Sequence, residues 1–228
     1  MSQEEDYQAL GSLARRGLDK GRLEALTDGI LAVAMTILVL DLKLEASDTI
    51  TTDAHLLRHL LDVERTFNVY FVGFVVLGMY WIAHNLQFHY VRHVDRTLLW
   101  INLAFMLLVT LVPFATNMMI TYELLTIPIV FYGLVQLLLA VALIANVNYL
   151  GRRPELADES LTPAVVAFIR RRLVLFATIP VVATAVAFVN TRAGLSVYFL
   201  MLVMHFFPHH VDRTIDRIAR RKGTGESP

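Results

Sequence analysis

Apolar residues along this chain come in long runs rather than in the period-two alternation of strands or the half-polar stripes of soluble helices. A membrane-spanning helix needs about 20 mostly apolar residues. Runs of that length fall at about 22–44, 66–88, 98–120, 127–150, 170–190 and 193–210. The pattern predicts an all-α fold, a polytopic membrane protein with a six-transmembrane-helix bundle per subunit. Little more than Thr191, Arg192 and Ala193 separates the last two runs, short but sufficient for an antiparallel helical hairpin. Pro113, Pro128 and Pro180 sit in or at the ends of runs, which membrane helices tolerate because neighbours satisfy the freed carbonyls.

Polar punctuation divides the chain into a cytoplasmic N-terminal segment 1–21, a six-helix transmembrane domain 22–210 and a basic cytoplasmic tail 211–228. Orientation follows from the basic residues, which mark cytoplasmic segments. One set of segments carries Arg15, Arg16, Lys20, Arg22, then Arg92 and Arg96, then Arg152, Arg153 and Arg170 to Arg172, then five more from Arg213 to Lys222. The alternate segments hold only Lys43, Arg58, Arg65 and Arg192. Sixteen against four of the 20 Lys and Arg, in strict alternation, places both termini on the cytoplasmic side of the cell membrane.

Composition agrees: 56% of residues are hydrophobic, 18% charged, and the mean hydropathy is +0.56. With Lys+Arg 20 and Asp+Glu 20 the formal charge is +0, which gives no reason to expect a nucleic-acid partner. Zero cysteines remove disulfides, thiolate catalysis and sulfur metal sites together. The acidic start MSQEEDYQAL lacks the basic-then-apolar layout of a cleaved signal peptide, so the first span is expected to persist.

The first span is the least lipid-like. Its apolar stretch runs only from Gly29 to Leu40, about 18 Å of helix, between Asp28 and Asp41. Glu24, Thr27, Asp28, Thr36, Asp41 and Lys43 would each be costly against lipid. Either protein or water wraps this helix, or the two aspartates bracket a shortened, snorkelling span. At about 100° per residue, Leu26, Ile30, Val33, Ile37, Leu40 and Leu44 form one narrow stripe with Asp28 nearly opposite. Such a stripe serves ordinary helix packing, or in an oligomer it lines a central axis with rings of branched side chains.

At these residues the sequence resembles the transmembrane protein 175 family of potassium channels, found in animal endolysosomes and in bacteria. The family signature Arg-x-x-x-Phe-Ser-Asp is matched by Arg22-Leu-Glu-Ala-Leu26-Thr27-Asp28, with Leu for Phe and Thr for Ser. A second stretch looks like the family's second and third helices: Trp81-Ile-Ala-His84, Phe88, Asp95-Arg-Thr-Leu-Leu-Trp100-Ile-Asn102 and Leu111-Val-Pro113-Phe-Ala-Thr116. The resemblance covers about the first 120 residues.

It implies a cofactor-free, potassium-preferring cation channel with passive flux of K+, a homotetramer whose first helix lines a central pore. The hydrophobic constriction carries over to Val33, Ile37 and Leu40, with Thr36 and Leu44 as pore-adjacent positions. Val33 is smaller than the residue usual at the first ring. Arg22, Leu26, Thr27, Asp28, His84 and Asn102 form the signature network, with Arg22, Thr27 and Asp28 expected to bond His84 and Asn102.

A rival chemistry comes from histidine spacing. His84, His89, His93, His205, His209 and His210 echo the boxes of membrane di-iron desaturases and hydroxylases, and imidazole suits iron. Against it, a full third box is missing and no carboxylates are interleaved. A secondary transporter would show inverted halves with paired breaks, which the sequence lacks, and a purely structural membrane subunit remains the plainest alternative for any such bundle.

Overall fold

A computed structural model of the protein describes residues 19–43, 51–62, 64–122 and 125–206. Leu44, His209, His210, the segment 1–18 and the basic tail 211–228 lie outside the described residues, as does the side chain of His205.

The described chain is helical: α1 Lys20–Ile37, continued by a 3-10 turn Leu38–Asp41, then α2 Asp53–Asp62, α3 Glu64–Phe88, α4 Arg96–Thr121, α5 Thr126–Gly151, α6 Pro163–Ala187 and α7 Thr191–Phe206. Their starts are written in the sequence. Asp19 caps α1 by accepting from the Gly21 amide at 3.0 Å, and Asp95 caps α4 by accepting from the Leu98 amide at 2.8 Å. Thr162 caps α6 ahead of Pro163, whose missing N–H costs nothing in a first turn.

Among the described helices, four are long and apolar enough to cross a membrane: α1 with its 3-10 turn, α3, α4 and α5. The remaining two long helices fall short for visible reasons. Arg170, Arg171 and Arg172 interrupt the first half of α6, leaving about 22 Å of apolar helix from 173 to 187. The described part of α7 has 16 residues, about 24 Å.

The bundle grows by neighbour packing of α4 on α5, α5 on α6 and α6 on α7, with α3 against α4, α5 and α7. Small residues set the closest approaches, as expected where lipid offers no hydrophobic drive and van der Waals fit decides. A Cβ on Gly73 of α3 would stand 3.1 Å from Thr116 Oγ1 of α4, and one on Gly133 of α5 would stand 2.6 Å from Thr184 Oγ1 of α6. Two loops are stitched together at one end: the Arg92 amide donates to the Leu156 carbonyl at 2.8 Å and the Asp158 amide to the Tyr90 carbonyl at 2.8 Å.

Helix α1 stands apart. Among the described residues it packs only on α3, α4 and its own 3-10 turn, never on α5, α6 or α7. It is an edge helix with one face covered.

Candidate pore-lining helix and the polar network behind it

Leu23, Thr27, Leu31, Ala34 and Leu38 recur at helical spacing, and all five are buried against α3 and α4. The stripe beside them is bare in the single subunit. Leu26 is 49% exposed, Val33 56%, Ile37 43% and Leu40 65%, while Ile30 is half-buried. Because the helix tightens to 3-10 from Leu38, where residues three apart eclipse, Leu40 stays in line with Ile37.

A second bare stripe consists of small side chains. Ala25, Gly29, Ala32 and Thr36 are exposed, and a Cβ on Gly29 would meet nothing within 4 Å. Counting 100° per residue, this row lies about 80° around the helix from the branched ridge. The Thr36 hydroxyl is turned back on its own helix, donating to the Val33 carbonyl at 2.8 Å. Between α1 and α4 runs an apolar groove of about 360 Å³, reaching from Leu26 and Gly29 to Thr110 and Pro113.

Both aspartates that bracket the apolar stretch are engaged by neighbouring helices. Trp81 of α3 donates its indole N–H to Asp28 at 2.9 Å, and the Asn117 amide of α4 donates to Asp41 at 2.7 Å. Thirteen residues separate these carboxylates, about 20 Å along the axis. The edge helix is thus held near each end by a hydrogen bond to a carboxylate, the stronger kind.

Behind α1 lies a string of buried polar groups. His84 and Asn102 are each 1% exposed, with His84 Nε2 and Asn102 Oδ1 2.9 Å apart. The Asn102 amide nitrogen donates to the Leu98 carbonyl at 2.7 Å and to Asn146 Oδ1 at 3.3 Å, and Asn146 in turn donates to Gln87 Oε1 at 2.8 Å. Since the Asn102 nitrogen is spent, its oxygen accepts, so His84 is the donor through Nε2–H. Donation therefore runs one way, from α3 through α4 to α5 and back to α3. Phe88 and Phe105 stack on the two faces of the imidazole, with centroids 4.2 and 5.1 Å away.

These bonds correct the expected partners of the signature residues. Thr27 is buried but donates to the Leu23 carbonyl at 2.9 Å and contacts Met106 Sδ at 3.5 Å. A hydroxyl facing the core can satisfy itself on the carbonyl one turn back, without a distant partner. Asp28 is exposed and, one residue further around the helix, turns to Trp81; Arg22 is exposed in the first turn. The residues that do join His84 and Asn102 are Asn146 and Gln87. Both carry a signal in the sequence, an amide inside a long apolar run, where polar groups are costly and seldom idle.

Among the described residues, His84, His89 and His93 do not converge on a metal-holding group. His84 is buried between its two phenyl rings, whereas His89 and His93 are exposed and the His89 ring meets Tyr90 edge-on.

The family described as "Endosomal/lysosomal potassium channel TMEM175" matches residues 22–113, the stretch from Arg22 at the start of α1 to Pro113 in α4. A potassium channel of Streptomyces collinus is 30% identical over 194 residues, covering 83% of this chain and 92% of its own length. The endosomal/lysosomal proton channel TMEM175 of Rattus norvegicus is 24% identical over 212 residues, 91% of this chain and 42% of that protein. Among solved structures, a lysosomal potassium-selective channel TMEM175 homolog from Chamaesiphon minutus superposes with a TM-score of 0.69 at 23% identity, over 81% of this chain and 95% of that one. That last likeness concerns the fold. With the signature helix, the motif-bearing α3 and α4 and a near full-length bacterial relative all in agreement, the chain belongs to the TMEM175 family.

Proposed function

We infer that this chain is a potassium-selective channel that lets K+ run passively down its electrochemical gradient. The observation that carries this is the match to the Streptomyces collinus potassium channel along 92% of that relative. The family and the relatives are channels, not enzymes, and the iron-oxidase reading is set aside.

The conducting unit in this reading is a homotetramer with α1 of each subunit at the axis. Three features support it. An edge helix with one covered face is available for a second set of contacts. Its small-residue row of Ala25, Gly29, Ala32 and Thr36 lets a neighbouring helix come close. With that row against a neighbour, the ridge about 80° away, carrying Val33, Ile37 and Leu40, turns toward the axis. Rings of branched side chains there form a hydrophobic neck that an ion crosses by shedding water. Val33 is the smallest of the three, which makes the rings of Ile37 and Leu40 the narrower ones.

Six spans per subunit, α1 and α3 to α7, fit the sixteen-to-four charge alternation and put both termini in the cytoplasm. The aspartates then sit at opposite mouths, Asp28 near the cytoplasm and Asp41 near the outside. The passage requires no cofactor.

Purified protein in liposomes under an outward K+ gradient should dissipate it at least tenfold faster than empty liposomes, and faster than an equal Na+ gradient. Equal rates for protein-containing and empty liposomes would overturn the reading.

A further inference from the structure

Helices α3 and α6 border a furrow of about 430 Å³ that plays no part in the pore. Its walls are apolar, with Phe74, Ile82 and Leu86 from α3 and Phe168 and Leu173 from α6, and a single charged side chain, Arg172, lines it. Among the described residues α3 and α6 do not pack on one another. They meet through an edge-on contact of Tyr80 with Phe176, ring centres 5.2 Å apart.

The furrow has the dimensions of a chain of methylenes. At about 30 Å³ for each water-sized group, it accommodates on the order of 14. It follows α3 from Phe74 to Leu86, about 18 Å, slightly more than half of a ~30 Å hydrocarbon core. Since α3 is one of the four helices able to span and Arg172 lies one turn before Phe176 on α6, Arg172 stands toward the cytoplasmic end of the furrow, at the depth of the lipid headgroups, as the charge alternation requires.

An exposed guanidinium at that depth calls for an anion. Among the described residues Arg172 forms no ion pair. A phosphate diester presents the paired oxygens that a planar guanidinium binds best.

We propose that the α3–α6 furrow is a binding site for an anionic phospholipid, one acyl chain lying between Ile82 and Leu173 and the headgroup phosphate on Arg172. The site rests on the membrane placement of α3 but not on the pore assignment.

The test uses delipidated full-length protein titrated with phosphatidylglycerol or phosphatidylcholine, with bound lipid counted by native mass spectrometry. Phosphatidylglycerol should bind at least tenfold more tightly. Arg172→Gln should erase that preference, Ala83→Trp and the milder Ala83→Leu, which fill the furrow, should weaken binding of both lipids, and Arg171→Gln should behave as the unmodified chain. Wild-type preference in Arg172→Gln, unchanged binding in both Ala83 variants, or displacement of the lipid by equimolar inorganic phosphate would overturn the proposal. Potassium flux measured on the same samples separates the two readings, since lipid binding without flux would count against the channel alone.

Discussion

Trp81 donates its indole N–H to the Asp28 carboxylate at 2.9 Å, tying the signature aspartate of the first helix to the C-terminal third of α3. The bond explains why an aspartate is tolerated at the rim of an apolar helix: its charge is directed sideways onto a donor rather than toward lipid. Replacing Trp81 with Phe keeps the ring and removes the donor. The expected loss is about 1 kcal/mol, read as a lower thermal midpoint and weaker subunit assembly with ion preference unchanged. A well-assembled Asp28→Ala protein with altered ion preference would instead give Asp28 a direct part in permeation.

The buried string of His84, Asn102, Asn146 and Gln87 should be more sensitive than the rim. Asn102→Ala strands the His84 N–H and Asn146 Oδ1 together, while the Leu98 carbonyl keeps its helical backbone bond, a cost of about 2–4 kcal/mol at roughly 1–3 per orphaned group after partial relaxation. Asn146→Ala strands fewer groups and should cost less. Denaturation of the two variants in detergent checks the order, and equal stability would show that the string is not acting as one network.

How far the sequence spoke for itself varies along the chain. The all-helical architecture was legible, because lipid leaves the backbone few ways to satisfy its own hydrogen bonds and long apolar runs declare the solvent. That Val33, Ile37 and Leu40 share a face follows from periodicity alone, since one turn of helix fixes which residues line up; that the face is bare in the single subunit does not, because packing and exposure give the same period. Hydrogen-bond partners were not legible. Thr27 meets its own Leu23 carbonyl, and Asp28 meets Trp81 rather than His84, because partnering depends on helix rotation to within one residue, about 100°. Asn146 and Gln87 carry only the general signal of amides in apolar runs, which ask for partners without naming them. The span count at the C-terminal end was blurred by Arg170 to Arg172, which a helix can carry inside its bounds while a hydropathy scan reads an interruption.

Gly133 is required by space rather than by backbone freedom. A Cβ there would stand 2.6 Å from Thr184 Oγ1 and 2.9 Å from the Tyr198 hydroxyl. Gly133→Ala is expected to destabilise by about 1–3 kcal/mol through overpacking of α5 against α6 and α7. Combining it with Thr184→Ala should recover part of the loss, and a thermal-unfolding series on the single and double variants measures it.

Acid should loosen the loop that joins α5 to α6. Asp158 accepts from the Ser160 hydroxyl at 2.6 Å and from its amide at 2.9 Å, and these bonds, with the Arg92 guanidinium nearby, hold its carboxyl below the usual range. A lowered folded-state pKa means that the stabilisation is present above the unfolded value and disappears as the pH falls through the folded one. Amide protection around residues 158–161, taken relative to the intrinsic exchange rate at each pH, should therefore fall below about pH 4, and less so in Ser160→Ala. Protection that is flat with pH would contradict it.

Widening the neck by polarity should ease water entry. Ile37→Asn and Leu40→Asn are each expected to raise K+ conductance severalfold and to reduce discrimination against Na+ in reconstituted bilayers. Unchanged currents in both would remove Ile37 and Leu40 from the constriction.

The chain contains no cysteine, so a single introduced thiol reports one position without background. Ile37→Cys, reconstituted and treated with a charged, water-soluble thiol reagent, tests whether the first helix faces the ion's route. Potassium flux should fall to the level of empty liposomes in that variant while the unmodified protein is unaffected. Full modification of Cys at that position, confirmed by mass, with flux undiminished would place the helix elsewhere and contradict the account.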